Sequence, residues 1–109
     1  MQALEHGMIG LSFTNTKPLV APTYGRTPML GTNPIAVAAP SGSARPYVLD
    51  MATSTVAQGK LEVADQLNRP IPVGWAIGSD GRPMQDAHRA LDEFRHGVGG
   101  GLVPLGGEG

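Results

Sequence analysis

The chain has 109 residues, enough for about one small domain with a modest core. Its formal net charge is −1 with eight Lys and Arg scattered along it, so it carries no electrostatic footprint for a nucleic acid backbone. It has no cysteine, which excludes disulfides, thiolate nucleophiles and cysteine metal sites.

Sixteen glycines and ten prolines beside 40% apolar residues describe a folded but loop-rich chain. Phe13, Tyr24, Tyr47, Trp75 and Phe94 are the only aromatic residues, so the core is expected to be built from Val, Ile, Leu, Ala and Met. The opening MQALEHGMIG places Glu5 and His6 where a signal peptide needs a continuous apolar core, and no run approaches the roughly 18 apolar residues of a membrane span. A soluble, cytoplasmic protein without a membrane partner is the expectation.

In chain order, MIGLSFT (8–14) has Ile9, Leu11 and Phe13 at every second position, the period of a half-buried strand. The stretch NTKPLVAPTYGRTPMLGTNP follows with four prolines, a long connection able to support turns but hardly a central strand. IAVAAP and YVLDMAT are two apolar runs joined by SGSARP, which predicts neighbouring strands buried on both faces. Thr55 and Gln58 form a capping box that predicts a helix start, with Val56, Ala57, Leu61, Val63, Ala64 and Leu67 as its apolar stripe and NRP as its end. VGWAIGSDG reads as a short strand entering an Asp80-Gly81 turn. Asp86 is placed to cap a second helix, AHRALDEFRH, with Ala87, Ala90, Leu91 and Phe94 on one face and Arg95 and His96 before Gly97. The final GVGGGLVPLGGEG has no periodicity and reads as a chain cut rather than finished.

The glycine run does not carry a dinucleotide fingerprint, because position 102 is Leu and VPLGG cannot open a helix. His6, His88 and His96 lack the i, i+4 spacing of a helical metal site and read as surface histidines. None of the serines sits in a G-x-S-x-G elbow, which excludes that class of hydrolase. The stretch YVLDMATSTVAQGK (47–60) is left with two readings. In one, Asp50, Thr53, Ser54 and Thr55 form a polar strand-to-helix turn. In the other, the turn offers amides and a positive helix end to an anionic group, and Asp50 accepts from a ribose hydroxyl.

The ordered motifs GTNPIAVAAP, VLDMATSTVAQGK, IPVGWAIGSDG and LVPLGG resemble those of the malate/L-lactate dehydrogenase family that is not built on the Rossmann fold. The resemblance covers nearly the whole chain. It implies an α/β segment of that family's NAD(P)-binding domain, several strands with two helices, spanning residues 1–109 as a partial domain. It also implies an oxidoreductase that moves a hydride between NAD or NADP and a small 2-hydroxy or 2-oxo acid, working as a homodimer when complete. The cofactor contacts carried over by the resemblance are Thr16, at the end of TNT, and Asp50, Met51 and Ala52, with Thr53 and Ser54 adjoining. No catalytic residue is carried over: the family's proton-donating histidine and carboxylate-binding arginine have no counterpart here, so the chain alone is expected to be inactive, and association as a noncatalytic segment, or a truncated reading frame without a role, is the alternative. Two departures from the family pattern are PTYGRT for a P-x-G-G turn, read as Arg26 in a glycine's place, and QDAH for T-D-P.

Overall fold

The computed structural model describes residues 1–107 as three helices and two three-stranded antiparallel sheets. A four-residue helix α1 (Gln2–Glu5) leads into β1 (Gly10–Phe13), β2 (Ile35–Ala39) and β3 (Tyr47–Met51), which form a meander in the order β1-β2-β3. Helix α2 (Gln58–Gln66) follows, then β4 (Ala76–Ile77), β5 (Pro83–Met84), α3 (Ala87–His96) and β6 (Gly101–Leu102), with the second sheet ordered β5-β4-β6. The expected mixture of strands and helices is present.

Helix α3 forms as its sequence dictates. The Asp86 side chain accepts from the Arg89 amide at 3.0 Å, satisfying one of the donors a helix start leaves open. Ala87, Ala90 and Leu91 turn inward at helical spacing, Phe94 is half-buried, and Gly97 closes the helix in the left-handed region at φ 64°.

Helix α2 departs from expectation at its start. Thr55 does not cap it: its hydroxyl donates to the Pro104 carbonyl at 3.0 Å, and the N-cap is Ala57, which makes no side-chain cap. A tertiary acceptor has outcompeted the local capping box. The apolar stripe is also narrower than predicted, since Val56 is buried ahead of the helix and Leu61 within it, while Val63 and Leu67 are exposed.

The core lies between α2, α3 and the second sheet, where Leu61, Ile71, Leu91, Leu102 and Val20 are the largest fully buried side chains. Val20 belongs to the proline-rich connection, which was not expected to pair. Its carbonyl accepts from the amides of Met29 and Leu30, and on its other side the Leu102 amide donates to Leu19 and the Ala21 amide to Leu102. Only short extended pieces are involved, so no prolonged periodic run marks them.

None of this core cluster comes from β1–β3. The predicted half-buried β1 is instead exposed at Leu11 (63%) and Phe13 (67%), and β2 and β3, predicted to be buried on both faces, are mostly half-buried or exposed. The physical reason is that nothing among the described residues packs on one face of this sheet. The radius of gyration of 16.5 Å agrees with a sheet standing off the core, since a compact domain of about 100 residues has about 13 Å.

Two backbone features are imposed by sequence. Tyr24, not Arg26, occupies the left-handed position of the PTYGRT turn at φ 63°, closed by the Gly25 amide on the Pro22 carbonyl at 2.8 Å. A bulky residue pays for that conformation in strain where glycine does not. Gly100, at φ 75°, lies where a Cβ would come within 2.8 Å of the Ile77 carbonyl, so the chain can enter β6 here only without a side chain.

Leu102→Ala should lower stability by about 2 to 5 kcal/mol through lost burial and the cavity left behind. Asp86→Ala should lower it by only about 1 kcal/mol, the worth of a cap. Urea unfolding of both variants, compared with the parent, checks the ranking.

Candidate nucleotide-binding groove

Pairing register assigns each residue of the first sheet to a face. Ser12, Ala36 and Asp50 stand side by side across the three strands, as do Gly10, Ala38 and Val48, and both rows point the same way. Small residues at the centre leave a trough, and α1 closes one end of it: a Cβ on Gly10 would stand 3.0 Å from the Ala3 Cβ. The result is a groove of about 440 Å³ lined by Met1, Gln2, Ser12, Ala36, Ala38 and Asp50 among others.

Asp50 is exposed, and among the described residues no hydrogen bond or ion pair engages its carboxylate. Ser12 faces it from about 10 Å away, two strand spacings across Ala36. The groove therefore has an apolar floor with an acceptor on one wall and a hydroxyl on the other, chemistry that suits a sugar bearing hydroxyl groups.

The other expected contact residues lie at the strand ends beside this groove, and their polar atoms are largely engaged within the chain. The Thr16 hydroxyl accepts from the Thr32 amide at 2.8 Å and lies 3.2 Å from the Thr32 hydroxyl. That corner closes over Gly31, where a Cβ would come within 2.6 Å of both the carbonyl and the hydroxyl of Thr16. Thr53 bonds to the Thr32 carbonyl through its amide at 2.7 Å and its hydroxyl at 3.0 Å. Ser54 is buried and donates to the Val56 carbonyl at 2.8 Å. Met51 belongs to the opposite face of the sheet from Asp50, and Ala52 is half-buried just beyond the strand.

Thr16 and Thr53 are thus brought together through Thr32, a residue not singled out from sequence. Its pairing with Thr16 left no local signal in the sequence, because the contact crosses 16 residues. Ser12 was likewise read only as part of a strand. Beyond the turn, the start of α2 has no side-chain cap, and the Lys60 amide bonds back to the Ala57 carbonyl at 3.0 Å. A free carboxylate in the groove is the acceptor type that a nucleotide's ribose hydroxyls require.

A second groove, about 530 Å³, lies between the end of α2 and the start of α3. Its carboxylates are engaged: Asp65 with His88 Nδ1 at 3.1 Å and Asp86 with the Arg89 amide. His96 pairs with Asp92 at 3.3 Å along α3, and the described residues include no group of three or more metal-ligating side chains. The glycine run closes α3 and enters β6 rather than opening a helix. No described helix is long and apolar enough to cross a membrane.

Comparison with known proteins agrees with the motif order. The chain is 52% identical over 109 residues to a malate dehydrogenase of Pyrococcus abyssi, covering 100% of this chain and 28% of that protein. It is 44% identical over 106 residues to a malate/(S)-sulfolactate dehydrogenase of Methanothermus fervidus, covering 96% of this chain and 29% of the relative. The crystal structure of malate dehydrogenase from Entamoeba histolytica superposes with a TM-score of 0.88 at 37% identity, over 99% of this chain and 30% of that one. The chain therefore spans somewhat over a quarter of the length of the curated relatives it matches. With the malate/L-lactate dehydrogenase profile matching residues 1–108, the chain belongs to that family.

Proposed function

We propose that residues 1–109 form part of the cofactor-binding domain of an NAD(P)-dependent 2-hydroxyacid dehydrogenase, with the groove beside Asp50 receiving the nucleotide portion of the cofactor. The observation that carries this reading is the unengaged Asp50 carboxylate over a floor of small residues. An ionised carboxylate only accepts, so it orients a ribose by taking hydrogen bonds from its hydroxyls. Ser12, across the groove, supplies a second polar contact. Thr16 and Thr53 act indirectly: by tying both strand ends to Thr32, they fix the rim against which the cofactor lies. Ala52 and Ser54 adjoin that rim beyond the strand end, while Met51, on the opposite face of the sheet, does not line the groove.

A nicotinamide cofactor held beside Asp50 and Ser12 would supply hydride exchange with the hydroxyl- or oxo-bearing carbon of the substrate. Support for a nicotinamide cofactor comes from relatives such as the (2R)-3-sulfolactate dehydrogenase (NADP(+)) of Chromohalobacter salexigens, 39% identical over 102 residues. The named activities of the relatives also support a small 2-hydroxy or 2-oxo acid as the substrate of the whole protein, and the resemblance carries with it a homodimer in the cytoplasm. None of the three histidines lines the groove, and His88 and His96 pair with Asp65 and Asp92, which supports a reading in which the proton comes from elsewhere in the whole protein.

A groove open along its length buries little of a ligand, so NADH or NADPH should bind no tighter than about 1 mM, roughly −4 kcal/mol. Amide chemical shifts followed by NMR during titration with each dinucleotide check this. Shifts confined to Ser12, Ala36 and the 50–54 stretch, and abolished by Asp50→Ala, are expected. Shifts centred on the groove between α2 and α3 would contradict the assignment.

A further inference from the structure

The turn PTYGRT holds a strain that the fold does not require. Tyr24 takes the left-handed conformation at φ 63° although Gly25, which adopts that conformation freely, stands beside it. Its ring is 91% exposed and lies outside the core cluster, so no packing within the core offsets the strain. Residues held in such conformations cluster at ligand clamps and functional sites. Tyr24 lines a cavity of about 270 Å³ together with Pro22, Thr23, Ile77, Val103 and Pro104. No charged residue lines this cavity, and it shares no lining residue with the groove beside Asp50.

Positive charge stands at the edge of the cavity. Arg26 and Arg82 each directly follow a lining residue, Gly25 and Gly81. The two loops meet there, since a Cβ on Gly81 would lie 3.6 Å from the Arg26 Cβ. Both backbones are fixed. The Arg26 carbonyl accepts from the Gly100 amide at 2.8 Å, the Arg82 carbonyl accepts from the Gly78 amide at 2.9 Å, and the Ser79 amide donates to the buried Glu93 carboxylate at 2.7 Å. Neither guanidinium makes an ion pair or a hydrogen bond among the described residues, and Asp80, the neighbouring carboxylate, accepts from the Arg82 amide at 3.0 Å.

We propose that this cavity binds a small molecule made of one planar ring and one anionic group, a carboxylate or a phosphate, with the ring against Tyr24 and the anion held by Arg26 and Arg82. An uncharged seat walled by Ile77, Val103 and Pro104 suits a ring and disfavours a charge. Guanidinium forks at the edge take the anion in charge-assisted hydrogen bonds. Size sets the upper limit: pockets for drug-sized ligands run from about 300 to 1,000 Å³, so a volume of about 270 Å³ admits one ring and not a dinucleotide. The site is therefore additional to the cofactor groove. Its test uses no dinucleotide, so either reading can fail without the other.

Benzoate and phenyl phosphate are the probes, with benzamide keeping the ring without the charge and acetate the charge without the ring. Titrated into the chain and followed by NMR, at least one of the two ring anions should give saturable shifts at Tyr24, Gly25, Ile77 and Gly81, with Asp50 unmoved. Benzamide and acetate should bind about tenfold more weakly or not at all. Tyr24→Gly removes the ring and the strain together, so affinity should fall about fivefold or more while the midpoint of urea unfolding does not fall. Tyr24→Asn, which also tolerates the left-handed conformation, gives the same comparison if the glycine variant does not fold. The double variant Arg26→Gln, Arg82→Gln should lose the preference for the ring anion over benzamide. The absence of saturable shifts with either ring anion, shifts centred on the groove beside Asp50, or affinity unchanged in the Tyr24 variants or in the double variant would each overturn the proposal.

Discussion

The backbone of residues 101–105 is the joint on which the structure depends. Leu102 exchanges hydrogen bonds with Leu19 and Ala21, Val103 donates to the Trp75 carbonyl and accepts from the Thr55 amide, and Leu105 donates to the Thr53 carbonyl. Three stretches far apart in sequence therefore meet along five residues. The Leu102 side chain, fully excluded from water, adds the apolar anchor that holds the joint against α2 and α3. Glycines make the approach possible, since a Cβ on Gly101 would press to 3.0 Å against the Leu19 carbonyl.

That joint determines what the turn after β3 can do. Thr53, Ser54 and Thr55 look like a ready set of ligand hydroxyls, yet all three are spent on the Thr32, Val56 and Pro104 carbonyls. Their hydrogen bonds stiffen the strand end and leave Asp50, one turn earlier, as the free polar group. The two sequence readings of this stretch are therefore compatible. The turn is built by internal hydrogen bonds, and under the proposed function its rigidity would hold the nearby carboxylate in place for a ligand.

Legibility in the sequence followed the range of the interactions. Helix α3 was readable from end to end because its cap, apolar face and C-terminal glycine all act within ten residues. The pairing of β2 with β3 was readable for the same reason, and the four family motifs were readable because their order survives without any geometry. The capping box at Thr55 failed because Pro104, 49 residues away, offered a better acceptor. The buried bridge residue Val20 and the short β6 failed because one or two residues show no period, and the partner that joins them lies far along the chain. Burial of the first sheet failed differently. Alternation in β1 and continuous apolar runs in β2 and β3 predicted burial, but these strands are mostly half-buried or exposed and contribute nothing to the core cluster.

Native-state amide hydrogen exchange tests the joint most directly. Ala21, Leu102, Thr55 and Leu105 each donate a backbone bond across it. If the joint holds the site, these four amides exchange slowly with a common opening free energy and accelerate together in Leu102→Ala. If Thr55 and Leu105 exchange as freely as a surface loop while Ala21 and Leu102 stay protected, the turn beside Asp50 is not held by residues 101–105, and the account of a rigid site rim is wrong.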